Sequence, residues 1–370
     1  MKDPALNSLY VIGGVPQEYT PAQILDAVCE NPSSAEGGEE TVVDEVVDPI
    51  LKPLDFDSKK IDEYLSLVQS AKKHLDVAFA GTYTRIRILA SLIDSLWRKG
   101  HFRLGDLSLK AKWKWNLEPV GAASAFYESV QSVSDFMDDL GIKLNSYSLE
   151  RSKESSLDFT TCLSKDTEDM DEIFVHQAFS THSPSLDKAR ACPGRMIADP
   201  QSWIVFVPFV PCDFRLGGSL LAQCLNMGGG VVPQVDDADY FMDCFEVLRE
   251  LVEDGIVISG ATVSEGGLLK TVKEMSADGC GISLDLSGLI NSYEENNIVR
   301  LLFAEIPGAL IQIKDMDFDY LDAELLLQDV AYFPLGHPDP VHKEVKVKAS
   351  AKSGIQTILE SLIQNAEGED

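Results

Sequence analysis

The sequence has few basic residues for its length and no apolar run long enough to cross a membrane. Lysine and arginine number 31 against 60 aspartate and glutamate residues, which leaves a formal net charge of −29 at pH 7. Such a surface repels phosphate polyanions, so the composition argues against nucleic-acid binding. A transmembrane helix needs about 20 consecutive apolar residues, and Met1–Tyr10 lacks the basic and apolar regions of a signal peptide. We therefore predict a cytoplasmic protein that does not contact membranes.

The sequence also lacks the cysteine and histidine spacings of disulfide scaffolds and metal sites. Its cysteines are odd in number, seven, and none forms a C-x-x-C pair, so neither a disulfide framework nor a structural zinc site is expected. The six histidines include no H-E-x-x-H arrangement. We predict no metal-binding residues.

What the sequence does contain is enough apolar material for two cores, with 45% hydrophobic residues in 370. An acidic stretch rich in Gly and Ser, Ser33–Asp48, is typical of a linker, and the polar, weakly periodic stretch Ser152–Asp171 indicates a boundary. Four regions are predicted: a linker-like N-terminal segment at 1–50, a reduced and mainly helical region at 51–150, a polar connector at 151–170, and an α/β domain at 171–370.

Apolar periodicity predicts the elements of both larger regions. In the first region, a strand is predicted over Asp106–Trp115 between helices that end before Gly100 and begin near Phe126. In the second region, strand and helix patterns alternate, and Val345 and Val347 alternate with lysines as in an edge strand. Strands are predicted at Ile173–Phe179, Trp203–Val210, Ile282–Leu286, Ala309–Ile313 and Val330–Phe333, and a last helix carries Ile355, Ile358, Leu359 and Leu362.

Two glycine-containing turns at predicted strand–helix junctions are the candidate binding segments. Free backbone N–H groups and the helix dipole at such a junction can hold a phosphate. Paired glycines at these junctions also serve tight packing, and spacing alone does not separate the two roles. The candidate residues are Gly217, Gly218 and Ser219 in the first turn, and Ser264, Glu265, Gly266 and Gly267 in the second.

The motifs around these turns resemble the C-terminal synthetase repeat of large-type phosphoribosylformylglycinamidine synthases. The resemblance implies a mixed sheet with helices, like the C-terminal lobe of aminoimidazole ribonucleotide synthetase. It also implies ATP-dependent amidation of formylglycinamide ribonucleotide in purine synthesis, with ATP or ADP and magnesium held between lobes. The motifs are Leu216-Gly217-Gly218-Ser219, Ser264-Glu265-Gly266-Gly267-Leu268, Leu302-Phe303-Ala304-Glu305-x-Pro307-Gly308 and, more weakly, Leu107-Ser108-Leu109-x-Ala111-x-Trp113.

The sequence departs from the family pattern where the resemblance implies charged ligands. Ala261-Thr262 stands in place of His-Asp before the second turn, and Ala122-Ala123 stands in place of Glu-Asp. Because phosphoryl transfer depends on electrostatic stabilisation, these losses predict a degenerate, truncated relative. The other departures are Ser91 and Ser95 for Glu and Asn, and Lys143–Ser148 for a Gly-Lys-Asp-Ser segment.

These departures lead to a non-catalytic binding or scaffold subunit as the first interpretation, with no catalytic residues. A homo-oligomer or another synthetase subunit is the expected partner, because a lobe that evolved to be covered leaves apolar area open. Two alternatives remain: a chain that keeps nucleotide binding at the two turns, and an active part of a split synthase.

Overall fold

The computed structural model describes residues 3–33, 41–72, 74–164, 190–276 and 279–348. The predicted strand Ile173–Phe179 and the predicted last helix lie outside these residues. Within them, helices and mixed sheets alternate, and the predicted mixed α/β fold is confirmed. No described helix is both long and apolar enough to cross a membrane.

The N-terminal segment forms a small three-stranded sheet of its own. Strand β1 (Leu9–Ile12) lies between β2 (Val15–Pro16), which is antiparallel to it, and β3 (Thr41–Asp44), which is parallel. Two short helices, α1 (Pro4–Asn7) and α2 (Pro21–Ala27), flank this sheet. Strand β3 falls inside the stretch predicted as a linker, because its alternation of exposed and half-buried residues is too short to stand out from the acidic composition.

A second sheet and three helices follow. Strand β4 is central, with β5 parallel on one side and β6 antiparallel on the other. The sequence predicts β4 but not β5 and β6, whose alternation is masked by polar residues on the exposed face. The elements are α3 (Ile61–Ser70), α4 (Ala80–Ser95), β4 (Leu107–Trp115), α5 (Ala122–Asp139), β5 (Lys143–Arg151) and β6 (Ser156–Leu163).

The C-terminal part is built on an antiparallel sheet in the order β11-β7-β10-β8 and a three-stranded sheet in the order β12-β9-β13. The strands are β7 (Ser202–Pro208), β8 (Val257–Val263), β9 (Gly281–Asp285), β10 (Gly308–Lys314), β11 (Phe333–Gly336), β12 (Pro338–Asp339) and β13 (Val345–Lys348). The helices are α6 (Leu220–Cys224), α7 (Ala238–Glu253), α8 (Gly267–Met275), α9 (Ser287–Tyr293), α10 (Ile298–Phe303) and α11 (Phe318–Leu327).

The predicted C-terminal strands lie where the sequence places them, with one shift. The strand expected at Val330–Phe333 begins at Phe333, because Asp329 has a positive φ of 55° and ends the preceding helical segment before the chain can extend. Strand β13 lies at a sheet edge and pairs only with β9 among the described strands, as its lysine alternation predicts.

Helix α4 joins the two parts of the chain in one apolar core. Its face carrying Ile86, Leu89 and Ile93 is fully buried, and the helix contacts β6 on one side and β8 and β10 on the other. Trp97, just past its end, is 0% exposed and packs its ring where a Cβ of Gly260 would be 2.3 Å away. Only glycine fits at that point of β8 without displacing the indole.

Candidate functional site

A cleft of about 1050 Å³ lies between α4 and β6 on one side and the end of β8 and α8 on the other. The chain around Arg190–Arg195 closes a third side. Of the predicted binding residues, Ser264 and Glu265 line this cleft, and Gly217–Ser219 do not.

The first predicted turn, Gly217–Ser219, is buried, and the N–H groups of Gly217 and Ser219 bond within the protein. The Gly217 N–H donates to the Val231 carbonyl at 2.8 Å, and the Ser219 N–H donates to the Leu216 carbonyl at 3.2 Å. The Ser219 hydroxyl caps α6, because its oxygen accepts from the Ala222 N–H at 3.3 Å. Helix α6 has only five residues, so its dipole is small.

The second predicted turn, Ser264–Gly267, differs from the first because its residues Ser264 and Glu265 line the cleft. Gly266 and Gly267 are buried and have φ values of 85° and 75°, a conformation that glycine adopts without strain. The Gly267 N–H donates to the Ser264 carbonyl at 2.9 Å, which closes the turn.

A single buried carboxylate, Glu305, connects the two turns. One of its oxygens, Oε1, accepts from the Leu220 N–H at 2.8 Å and from the Gly266 N–H at 2.9 Å. Glu305 is 2% exposed. Desolvation raises its pKa to about 7, although the two backbone N–H groups act in the opposite direction. The position that a bound anion could take at these junctions is therefore held by the protein's own carboxyl group.

The charged side chains that line the cleft are largely paired with one another. Arg87 on α4 and Glu265 form a salt bridge of 2.9 Å, with side chains 11% and 15% exposed, and Arg87 also donates to the Leu157 carbonyl at 2.7 Å. Lys270 lies 3.2 Å from Glu274. Arg190 donates to the Gly260 carbonyl at 2.6 Å. The cleft therefore presents a balanced rather than a cationic surface.

The residues at the departures from the family pattern also have internal partners. The Thr262 hydroxyl accepts from the Trp97 indole N–H at 2.9 Å, so it supports packing at the cleft wall. The Ser91 and Thr161 hydroxyls are 3.0 Å apart, and the Ser95 hydroxyl donates to the Leu92 carbonyl at 2.6 Å. Asp94, which lines the cleft, pairs with Arg98 at 2.7 Å. Among the described residues, no group of three or more His, Cys, Asp or Glu side chains is placed to hold a metal ion.

At the Ala122-Ala123 departure, the N-terminal segment supplies a carboxylate from elsewhere in the chain. Asp44, at the end of β3, accepts from the Gly121 N–H at 3.1 Å and from the Ser124 N–H at 2.7 Å. These groups lie at the N-terminus of α5, where a negative charge is favoured by the helix dipole. The Asp44 carboxylate therefore occupies the place at the N-terminus of α5 where a bound anion would accept hydrogen bonds.

Comparison with known proteins shows what this part of the chain is similar to. Residues 216–315 match the model of the AIR synthase related protein, C-terminal domain, which contains both predicted turns and Glu305. Over 288 residues the chain is 23% identical to phosphoribosylformylglycinamidine synthase of Homo sapiens, which covers 78% of this chain and 20% of the relative. The chain is a relative of phosphoribosylformylglycinamidine synthase.

The chain is also similar to a plant protein and to two solved structures. A probable chloroplastic/mitochondrial phosphoribosylformylglycinamidine synthase of Arabidopsis thaliana is 27% identical over 71% of this chain and 18% of the relative. The chain thus spans about a fifth of the length of these relatives. The alignment with T. maritima PurL complexed with ATP covers 79% of this chain and 40% of the PurL chain, at 12% identity and a TM-score of 0.45. E. coli HypE covers 88% and 91%, at 13% identity and a TM-score of 0.46.

Sequence reasoning missed two residues that organise this relative of the synthase, Glu305 and Arg87. Glu305 was visible as part of the family motif, and it is the single acid in the apolar run from Leu301 to Ile313. A lone acid in a buried run points to a specific partner, because an unpaired buried charge is costly. Arg87 gave no such signal. It lies in a helix of mixed polar and apolar residues, and its partner Glu265 is 178 residues away in the sequence.

Proposed function

We propose that this chain is a non-catalytic relative of phosphoribosylformylglycinamidine synthase that acts as a binding or scaffold subunit. The observation that carries the proposal is that Thr262, where the family resemblance implies a carboxylate, accepts from the Trp97 indole N–H at 2.9 Å. The Glu305 carboxyl oxygen supports it, because this oxygen accepts from both predicted phosphate-binding junctions at 2.8 and 2.9 Å. A phosphate at either junction would meet a carboxyl group at the same donors. Binding there would require displacement of the Glu305 oxygen from both N–H groups, which leaves a buried carboxyl group without those hydrogen bonds.

The surroundings of the cleft support the same proposal. Magnesium bound to a triphosphate takes hard oxygen ligands, most often carboxylates. Ala261 and Thr262 offer no carboxylate at the position where the family resemblance implies one, and the Thr262 hydroxyl is engaged by Trp97. Glu265 is held by Arg87 at 2.9 Å. In this proposal the partner is a second copy or another synthetase subunit, and the setting is the cytoplasm, as the sequence predicts.

A thermal unfolding series with nucleotide tests this proposal. A ligand at 100 times its dissociation constant adds about 2.7 kcal/mol of stability to the folded state. We expect no change in the Tm of the full chain when millimolar ATP and magnesium are added together. A Tm increase that requires both ATP and magnesium would contradict the proposal.

A retained nucleotide site is the second candidate, and the size of the cleft favours it. About 1050 Å³ is at the upper end of the range for small-molecule sites. The Arg87 Nε in the cleft wall is buried and has no hydrogen-bond partner among the residues that the structure describes. In this alternative, Ser264 and Glu265 contact ATP or ADP with magnesium directly. Gly217–Ser219, Gly266 and Gly267 contribute only after their bonds within the protein rearrange.

The same alternative extends to an active part of a split synthase. It predicts ATP-dependent amidation of formylglycinamide ribonucleotide when a glutaminase and a first synthetase repeat are supplied as separate chains. The measurement is amidine formation together with ADP release. Product that forms with this chain and not with a Glu265→Gln variant would establish the alternative, whereas an inactive mixture that is shown to associate would remove it.

A further inference from the structure

The chain between β3 and α3 exposes a group of large apolar side chains beside the N-terminus of α5. Four of them lie within six consecutive residues and a fifth lies in the turn before α5, and each is at least 50% exposed. Exposed apolar residues that occur singly are ordinary, whereas a group of them marks a candidate interaction site. We call this group the α5 patch, and its members are Val46, Val47, Ile50, Leu51 and Val120.

Contacts with the rest of the protein hold the α5 patch in place. At one end, the Gly230 N–H donates to the Ile50 carbonyl at 2.6 Å. At the other end, Val47 packs on the turn before α5 so closely that a Cβ on Gly121 would collide with it. A partner that binds the patch therefore meets a segment that is already ordered, which lowers the entropic cost of binding.

A pocket of about 250 Å³ adjoins the α5 patch and shares three of its residues, Val46, Val47 and Val120. Its wall includes Tyr127, whose hydroxyl donates to the Tyr19 carbonyl at 3.0 Å. Small-molecule sites usually enclose about 300–1000 Å³. The pocket is therefore better suited to one side chain of a partner than to a complete small molecule.

Glu128 gives the pocket its charge. Among the described residues that line the pocket, Glu128 is the only ionisable acid or base other than Tyr127, and Gln17 and Gln131 add amide groups. Within the described part of the chain, Glu128 forms no ion pair, and Arg85, whose charge acts on it, is paired with Asp236. A carboxylate with amide oxygens beside it is a suitable acceptor for an ammonium or guanidinium group.

The surroundings of the α5 patch are acidic as well. Residues 41–51 include Asp44, Glu45 and Asp48 and contain no lysine or arginine, and Glu45 and Asp48 are exposed. A second copy on a twofold axis would place these acids against themselves, and each chain carries a formal charge of −29. Charge complementarity therefore favours a different chain with a basic segment over a second copy.

We propose that the α5 patch binds a segment of another protein in which a lysine or arginine is flanked by aliphatic residues. The basic side chain enters the pocket, where its aliphatic stem packs on Val47 and Val120 and its charged group bonds to Glu128. The aliphatic neighbours of that side chain cover Ile50 and Leu51. This inference rests on the proposed function, because it gives the chemistry of the partner that the proposed binding subunit takes.

Fluorescence anisotropy with synthetic peptides and the full chain tests the site. The probe is a short labelled peptide with a central lysine between isoleucine and valine residues, and two matched peptides carry norleucine or glutamate at the centre. We expect saturable binding of the lysine peptide, roughly tenfold weaker binding of the norleucine peptide, and no binding of the glutamate peptide. Equal binding of the lysine and norleucine peptides, or binding of neither, would overturn the proposal.

Variants of the chain show which residues make the contact. Glu128→Gln should weaken binding of the lysine peptide roughly tenfold and leave the norleucine peptide unchanged, because it removes the charge and keeps the shape. Leu51→Ser should weaken both peptides. Asp135→Asn, at an exposed position about two turns further along α5, and Leu327→Ser, at an exposed position of α11, are the matched controls and should change neither. Insensitivity of the lysine peptide to Glu128→Gln would contradict the assignment.

Sedimentation of the chain alone separates this partner from a second copy. Self-association that Leu51→Ser abolishes would overturn the proposal, and we expect Leu51→Ser to leave the sedimentation of the chain unchanged. The peptide result is also distinct from the nucleotide result. A Tm increase with ATP and magnesium would contradict the non-catalytic role while peptide binding persists, whereas failure of peptide binding would leave the Tm series unaffected.

Discussion

Two carboxylates, Glu305 and Asp44, each accept two backbone N–H groups at a helix beginning, yet their surroundings differ. Glu305 is 2% exposed and holds Leu220 and Gly266 with a single oxygen. Asp44 is half-buried: one of its oxygens accepts from the Gly121 N–H and from the adjacent Glu45 N–H, and the other accepts from the Ser124 N–H. Desolvation raises the pKa of Glu305 to about 7.

The difference shows what each carboxylate contributes. In the core, the hydrogen bonds to Glu305 are strong, but its charge is costly, so ionisation and folding oppose each other. Near the surface, water also solvates the Asp44 carboxylate, so its partial burial costs little free energy. Its hydrogen bonds cap α5, and they contribute less to the free energy of unfolding than those of Glu305. Experiments that remove or titrate each group should therefore give effects of different size.

Replacement of Glu305 by alanine should give the largest effect. It leaves the Leu220 and Gly266 N–H groups buried without an acceptor and opens a cavity, which together should reduce the free energy of unfolding by about 3–5 kcal/mol. Urea unfolding of the full chain at pH 6 measures this. Glu305→Gln is the control: it retains an oxygen at the position of Oε1, so its loss should be clearly smaller. Equal losses would show that the shared oxygen is unimportant.

The pH dependence of stability should come next in size. The ordinary pKa of Glu305 is 4.5 and the folded value is about 7, so between these values the folded state binds the proton more tightly than the unfolded state. The associated stability is fully present below pH 4.5 and is lost as the pH rises through 7. At about 1.4 kcal/mol per pH unit, the loss is on the order of 3 kcal/mol.

Comparison of the unmodified chain with Glu305→Gln isolates this pH effect. Urea unfolding of both proteins from pH 4.5 to 8 should show a decline that is steeper in the unmodified chain. Parallel curves for the two proteins would mean that Glu305 does not titrate in this range.

Replacement of Asp44 by alanine should give the smallest of the three effects. Loss of an N-terminal cap at a half-exposed position typically costs about 1 kcal/mol. Asp44→Asn retains one acceptor oxygen and should lose less. A loss for Asp44→Ala as large as that for Glu305→Ala would remove the contrast between the buried and the half-buried carboxylate.

The sequence predicted the fold more fully than the site, for physical reasons. Elements with a clear apolar period, such as β4, α5 and β7, were located because burial of one face is a local property of the sequence. The strands β5 and β6 were missed because their outer faces are polar and partly exposed.

The candidate site depends on contacts between residues far apart in the chain. The two glycine turns were recognised locally, but the acceptor that holds their junctions lies 85 residues from Leu220 and 39 from Gly266. The Arg87–Glu265 pair spans 178 residues. No local pattern reports such distances, so the predicted phosphate-binding role of the turns could not be weighed against Glu305 from the sequence alone.

A crystal structure of the full chain grown with millimolar ATP and magnesium tests the central claim most directly. We predict that the Leu220 and Gly266 N–H groups remain bonded to Glu305, and that no triphosphate lies at Gly217–Ser219 or Ser264–Gly267. A triphosphate in the cleft, with a magnesium ion coordinated by carboxylates of this chain, would contradict the account.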